Sequence, residues 1–108
     1  MTKAEYLQRG ETLDYTNATA TTIPDGAVVT IGSRIGVTGC PIPPGKTGSL
    51  HVVGVFEIAK TGTAAIEQGA TVYFDGTGIT DTAGDIEAGY AAAPADAAAE
   101  TILVKLRG

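Results

Sequence analysis

The stretch from Thr47 to Asp75 constrains the fold more than any other part of this chain. It opens T-G-S-L-H-V-V-G-V-F-E-I-A-K and, after a short turn ending at Gly69, closes I-E-Q-G-A-T-V-Y-F-D. Leu50, Val52, Phe56 and Ile58 alternate with His51, Glu57 and Ala59, the two-residue period of a strand with one buried face. Thr71 to Phe74 supplies a second strand-sized run. Such runs between Gly-rich turns predict a small all-β domain. The side chains are those of packing, which favours a structural or binding module over an enzyme.

The rest of the chain extends the pattern. Thr12 to Thr16 reads as a short strand, and Pro24-Asp25-Gly26 as a turn in which Pro presets φ. Ala27 to Ile31 and Arg34 to Thr38 form a hairpin across Gly32-Ser33. Ile79 and Thr80 mark a brief strand. Ile86 to Ala93 is a strand of small residues, where Gly89 and its alanines admit a second backbone. Thr101 to Arg107 alternates cleanly, with Ile102, Val104 and Leu106 inward and Leu103, Lys105 and Arg107 outward. In the Ala-rich tract from Ala88 to Ala99, Pro94 limits any helix to one turn capped by Asp96.

These readings predict a compact small β-barrel or β-sandwich with at most one or two short helical turns. The expected core is Val28, Ile35, Val37, Leu50, Val52, Phe56, Ile58, Val72, Ile102, Val104 and Leu106. No internal repeat, coiled-coil heptad or separate linker is expected. Residues 1–10 form a polar arm with one apolar patch at Tyr6 and Leu7, and 11–108 a single all-β domain. At 108 residues there is room for one core. Leu, Ile, Val and Phe make up only about a fifth of the chain, near the level at which a chain struggles to fold alone. Burial against another subunit is the expected remedy.

Charge and cysteine content exclude several classes. The net charge is −5, and the seven Lys and Arg residues are scattered from Lys3 to Arg107. No basic stripe is available for a phosphate backbone, so nucleic acid is not an expected partner. The six aromatic side chains are too dispersed to make a base-stacking platform. Cys40 is single, so neither an intrachain disulfide nor a Cys-based metal site can form. No apolar stretch has the length of a membrane span, and M-T-K-A-E-Y-L-Q-R-G lacks the apolar centre of a signal peptide. A soluble, unexported protein with no membrane partner is expected.

The chemically suggestive motifs have structural explanations. Gly39 to Thr47, G-C-P-I-P-P-G-K-T, resembles a phosphate loop but has five residues between its glycines instead of four. Its prolines lack the N–H groups such a loop aims at phosphate, and a strand follows it where a helix is required. His51 with Cys40 or a carboxylate is the catalytic alternative. However, His51 sits opposite the apolar stripe, and a lone Cys is more often a packing residue. Asp75, Asp81 and Asp85 lie in Gly-rich turns without the order of a calcium loop, and turn formation accounts for them. No catalytic, cofactor-binding or metal residue is therefore assigned.

In its order of segments the chain resembles the bacteriophage and prophage capsid cement proteins. The matching segments are E-Y-L-Q-R-G-E-T-L-D-Y-T, I-P-D-G-A-V-V-T-I-G-S-R-I-G-V-T, I-P-P-G-K-T-G-S-L-H-V-V-G-V-F-E-I-A-K, I-E-Q-G-A-T-V-Y-F-D and T-I-L-V-K-L-R. The resemblance implies a trimeric, all-β, non-enzymatic head-decoration protein made in the host bacterial cytoplasm and carried on the virion's capsid surface. Its partners would be the major capsid protein and copies of itself. A tail or adhesin-like β module is the other non-enzymatic alternative, for which repeats or a fibre stalk would be expected. His51, Val53 and Val55 are the expected subunit contact, because two apolar positions there would otherwise be wet. Tyr6, Leu7 and Arg9 are the expected capsid-binding part of the arm, suited to strand addition. The competing expectation is that Tyr6 to Arg9 form the first strand of the domain.

Overall fold

The computed structural model describes residues 1–107. Their strands, in chain order, are β1 (Thr12–Thr16), β2 (Val28–Ile31), β3 (Arg34–Thr38), β4 (Thr47–His51), β5 (Val53–Ala59), β6 (Thr71–Phe74), β7 (Ile79–Thr80), β8 (Ile86–Ala91) and β9 (Thr101–Arg107). They form two antiparallel sheets, ordered β1-β4-β3-β2 and β5-β9-β8-β6-β7. Neither sheet closes on itself, so the all-β expectation resolves as a sandwich and not a barrel. Among the described residues there is no helix. Asp96 to Ala99 is a β-turn instead, closed by the Ala99 N–H donating to the Asp96 carbonyl at 3.0 Å.

The long central strand expected from the alternation is two strands in different sheets. Val52 donates its N–H to the Glu11 carbonyl at 3.0 Å, completing the β4 pairing with β1. One residue further the chain has left that sheet, and β5 pairs with β9 from Val53↔Arg107 to Ala59↔Thr101. Gly54, at φ 128°, takes up the bend in a region that L side chains rarely adopt. Gly32, at φ 61°, serves the β2–β3 hairpin as the first residue of its two-residue connection.

The main core lies between the sheets. Ile35 and Val37 come from the first sheet, and Ile58, Val72, Phe74, Ile102, Val104 and Leu106 from the second, joined by Ile66 and Ile79. Val28 and Phe56 pack against this cluster half-buried. Leu50 and Val52 are buried as expected but lie outside it. Val37 stands opposite His51 and Thr38 opposite Leu50, so Leu50 points to the far face of the first sheet. There Ile42 crosses close over Gly48 and shields that face. Small-residue packing in β8 occurs where expected: a methyl group at Gly89 would land on the Lys105 carbonyl.

The two sheets are versions of one unit. The order β1-β4-β3-β2 recurs as β5-β9-β8-β6, with β7 added outside β6. Ile23 and Ile42 exchange two backbone hydrogen bonds at 3.0 and 2.8 Å, and Ile66 and Ala95 do the same at 2.9 and 2.8 Å. Gly26 donates to the Thr38 carbonyl as Gly69 does to that of Ala91. Thr38 donates to Ala27 as Ala91 does to Ala70, and Gly39 to Ser49 as Ala92 does to Leu103. The loop after the first strand of each unit is pinned by a buried polar side chain. Asn17 Nδ2 donates to the Thr21 and Ile42 carbonyls at 2.7 and 2.8 Å, and Lys60 Nζ to those of Gly62 and Ala97 at 2.6 and 3.2 Å. An internal recurrence is thus present, which overturns the expectation of no repeat, and the residues carry a short trace of it: Ile23, Gly26, Ala27 and Val29 return as Ile66, Gly69, Ala70 and Val72.

Candidate interaction surfaces

Residues 1–10 carry no strand and stand away from the sandwich. Tyr6 is 79% exposed and Leu7 87%, a wet apolar pair on an unpaired backbone. Arg9 meets only Glu11, at 3.5 Å, both well exposed. The overall radius of gyration is 15.0 Å, against about 13 Å for a compact domain of this length. The arm thus presents N–H and C=O groups without strand partners, two exposed apolar side chains and the cationic Lys3 and Arg9. That combination suits addition to the edge of a partner's sheet.

The second surface is the outer face of the five-stranded sheet. Val55 is 53% exposed, and Val53, Tyr90 and Leu103 are also wet. Lys105 lies between them, opposite Val55 on one side and Tyr90 on the other. Arg107 forms an ion pair with Glu87 across the same face. Exposed apolar side chains grouped on one face with a polar surround make it a candidate contact surface. β5 is also an edge strand, with one side of its backbone unpaired, a feature that natural sheets usually protect or use.

His51 does not belong to that surface. Its ring lies against Phe56, with centroids 6.0 Å apart and a 43° tilt. It therefore looks into the cleft between the sheets, whereas Val53 and Val55 alternate with Phe56 and face outward. The sequence had suggested one shared face because the residue parity continues through Val52 without a sign of the change of sheet. Val53 and Val55 remain together, joined by Tyr90 and Leu103, which sequence reasoning missed. Leu103 was placed outward by its alternation but not recognised as part of a patch.

The catalytic alternative fares poorly in this geometry. A side chain built at Gly39 would meet the His51 ring, while one at Gly48 would meet Cys40 Sγ. These glycines present opposite faces of the first sheet, which therefore stands between the thiol and the imidazole. The phosphate-loop resemblance resolves as a turn, with Lys46 donating to the Pro43 carbonyl at 3.0 Å and Thr47 opening β4. Among the described residues no three His, Cys, Asp or Glu side chains converge to hold an ion.

Asp75 is committed to its own turn. Its Oδ2 accepts from Thr61 Oγ1 at 2.6 Å, and its Oδ1 from the N–H groups of Thr77 and Gly78, both at 2.9 Å. The Thr61 hydroxyl first, and then these backbone donors, hold its carboxyl well below the usual carboxylate range. Between the sheets, an open cleft of about 490 Å³ is lined by Val28, Val37, Phe56, Ile58 and Phe74. It is the unfilled margin of the core.

Comparison with known proteins gives one finding. The family model for phage cement proteins matches residues 7–106, nearly the whole chain. No curated protein and no solved structure matches it.

Proposed function

This chain belongs to the phage cement protein family, and on that premise we propose that it is a head-decoration protein which binds the outside of an assembled capsid and stabilises it. The family places it among structural proteins associated with a phage capsid. The near-complete length of that match carries the proposal. The partner is the major capsid protein, on a phage or prophage head, and the working form is a homotrimer. The protein is made in the host bacterial cytoplasm and ends on the virion surface.

Attachment runs through the arm. Tyr6 and Leu7 set the register of an added strand, with Arg9 beside them. Ordering such a segment costs roughly 1–2 kcal/mol per residue in backbone entropy, so one arm alone binds weakly. Three arms on one trimer share the orienting cost, and the second and third bind at high effective concentration. Val53 and Val55 lie in the subunit contact.

The test is deletion of residues 2–9, followed by thermal melting and by binding to undecorated heads. Unchanged melting with lost binding is the expected result. Unfolding of the truncated protein would make the arm part of the core, and undiminished binding would end the anchoring role.

A further inference from the structure

Within the chain, the two units stack head to tail. The face of the first sheet carrying Val28, Ile35, Val37 and His51 packs on the face of the second carrying Phe56, Ile58, Phe74 and Val104. These are not equivalent faces. The shared hydrogen-bond pattern and strand order map Val37 to Tyr90, His51 to Lys105 and Thr12 to Val55, which lie on the outer face of the second sheet. The same correspondence maps Phe56, Ile58, Val72, Phe74 and Val104 back onto Leu13, Tyr15, Val29, Ile31 and Leu50 of the first sheet.

All five of those positions are apolar. Leu50 is covered, but Leu13 is 39% exposed and Tyr15, Val29 and Ile31 are half-buried. The first sheet keeps the residue class of a face that receives another sheet, with no sheet upon it. The second sheet keeps Tyr90 where the first has the docking Val37, with the exposed Val55 at the position of Thr12. One face of each kind is unused, and they lie on opposite sides of the molecule.

We propose that copies of this chain associate through these two unused faces. The outer face around Val55 and Tyr90 docks on the neighbour's Leu13, Tyr15 and Ile31, repeating the contact the chain makes within itself. Such a heterologous contact either closes into a ring or propagates as a filament. Resting on the trimeric reading given above, the inference is that three chains close a ring of six like sheets. Within the chain, β4 passes to β5 through Val52 alone. By the same correspondence, the end of β9 in one copy comes beside the start of β1 in the next. Each arm then leaves the ring at a seam between copies.

Two exposed substitutions, Val55→Arg and Leu13→Arg, block one face each. Mass is measured by sedimentation at micromolar concentration, with circular dichroism and melting to establish that each variant is folded. The unaltered chain is expected at three protomer masses and each variant alone at one. An equimolar mixture is expected at two, because only one intact face of each kind remains. A wild-type protein at one protomer mass would overturn the trimeric reading and this inference with it. A wild-type trimer whose variants both remain trimeric, or whose variants dissociate but do not pair when mixed, would overturn head-to-tail docking alone. If either variant melts early, Tyr90→Glu and Ile31→Glu block the same two faces from other strands of the same sheets.

Discussion

Asn17 allows the recurring unit to be tested at a single side chain. It is completely buried, yet all its hydrogen-bonding groups are used. Besides its two donations to carbonyls, its Oδ1 accepts from the Thr19 N–H at 2.8 Å and the Thr19 hydroxyl at 2.6 Å. Replacing it with Ala removes four hydrogen bonds, each worth about 0.5–1.5 kcal/mol net. Thr19 and Thr21 are exposed and recover water, and the Ile42 carbonyl still accepts from Ile23. These recoveries bring the expected loss to about 2–4 kcal/mol, or a melting temperature lower by about 8–16 °C for a domain of this size. Asn17→Asp separates the polar network from simple packing. A carboxylate there faces the Thr21 and Ile42 carbonyls without a proton to donate, so its folded pKa is raised. A group of that kind binds a proton more readily when folded, so the variant gains stability as pH falls through its folded pKa. Melting is measured for the wild type and both variants at equal protomer concentration, since association shifts apparent stability. A loss below about 0.5 kcal/mol for Asn17→Ala, or an Asn17→Asp deficit that does not shrink towards low pH, would refute the pinning role.

Three further outcomes are expected. Gly89→Ala forces a side chain onto the Lys105 carbonyl at φ 148°, and should cost more than about 4 kcal/mol or prevent folding, read by urea denaturation; a near-normal midpoint would contradict the β8–β9 packing. Asp75→Asn should melt below the wild type at neutral pH. Because the folded carboxyl titrates lower than an unfolded one, its contribution is complete above the ordinary value of about 3.9 and fades as pH falls through the folded value, so melting curves at pH 2 should lie closer together than at pH 7. Phe56→Ala should cost about 2–3 kcal/mol, below a fully buried Phe, because the ring is half-exposed at the cleft margin; a neutral result would mean that its face of β5 is turned outward.

The strands were largely legible because each keeps its own alternation. Thr101 to Arg107 is the clearest case, with every second residue buried from Ile102 to Leu106. The change of sheet at Val52 was not legible. Leu50, Val52, Phe56 and Ile58 keep one parity through the crossing, and a period of two carries no record of which sheet a strand joins. His51 was misplaced for the same reason, since its burial comes from the second sheet folding back over the first. The recurring unit was missed because its trace in the residues is short, I-x-x-G-A-x-V at 23–29 and again at 66–72, and backbone hydrogen bonds carry the rest. Asn17 and Lys60 do one job with different chemistry, Ile42 corresponds to Ala95, and the β7 excursion breaks any constant spacing.

The single residue between β4 and β5 also decides where mechanical load would enter. Thr12 lies opposite His51, so the arm and the crossing to the second sheet leave the first sheet at the same end. A pull on the arm, resisted by the second sheet, does not shear β1 along β4. It opens the pair stepwise, from Thr12↔His51 towards Thr16↔Thr47, one backbone contact at a time. The first strand would act as a yielding element, extending under modest force while the second sheet keeps its seven paired positions along β5 and β9. When the force is released, the same register allows it to close again. A tether of this design would follow a shell that changes its curvature and would still hold.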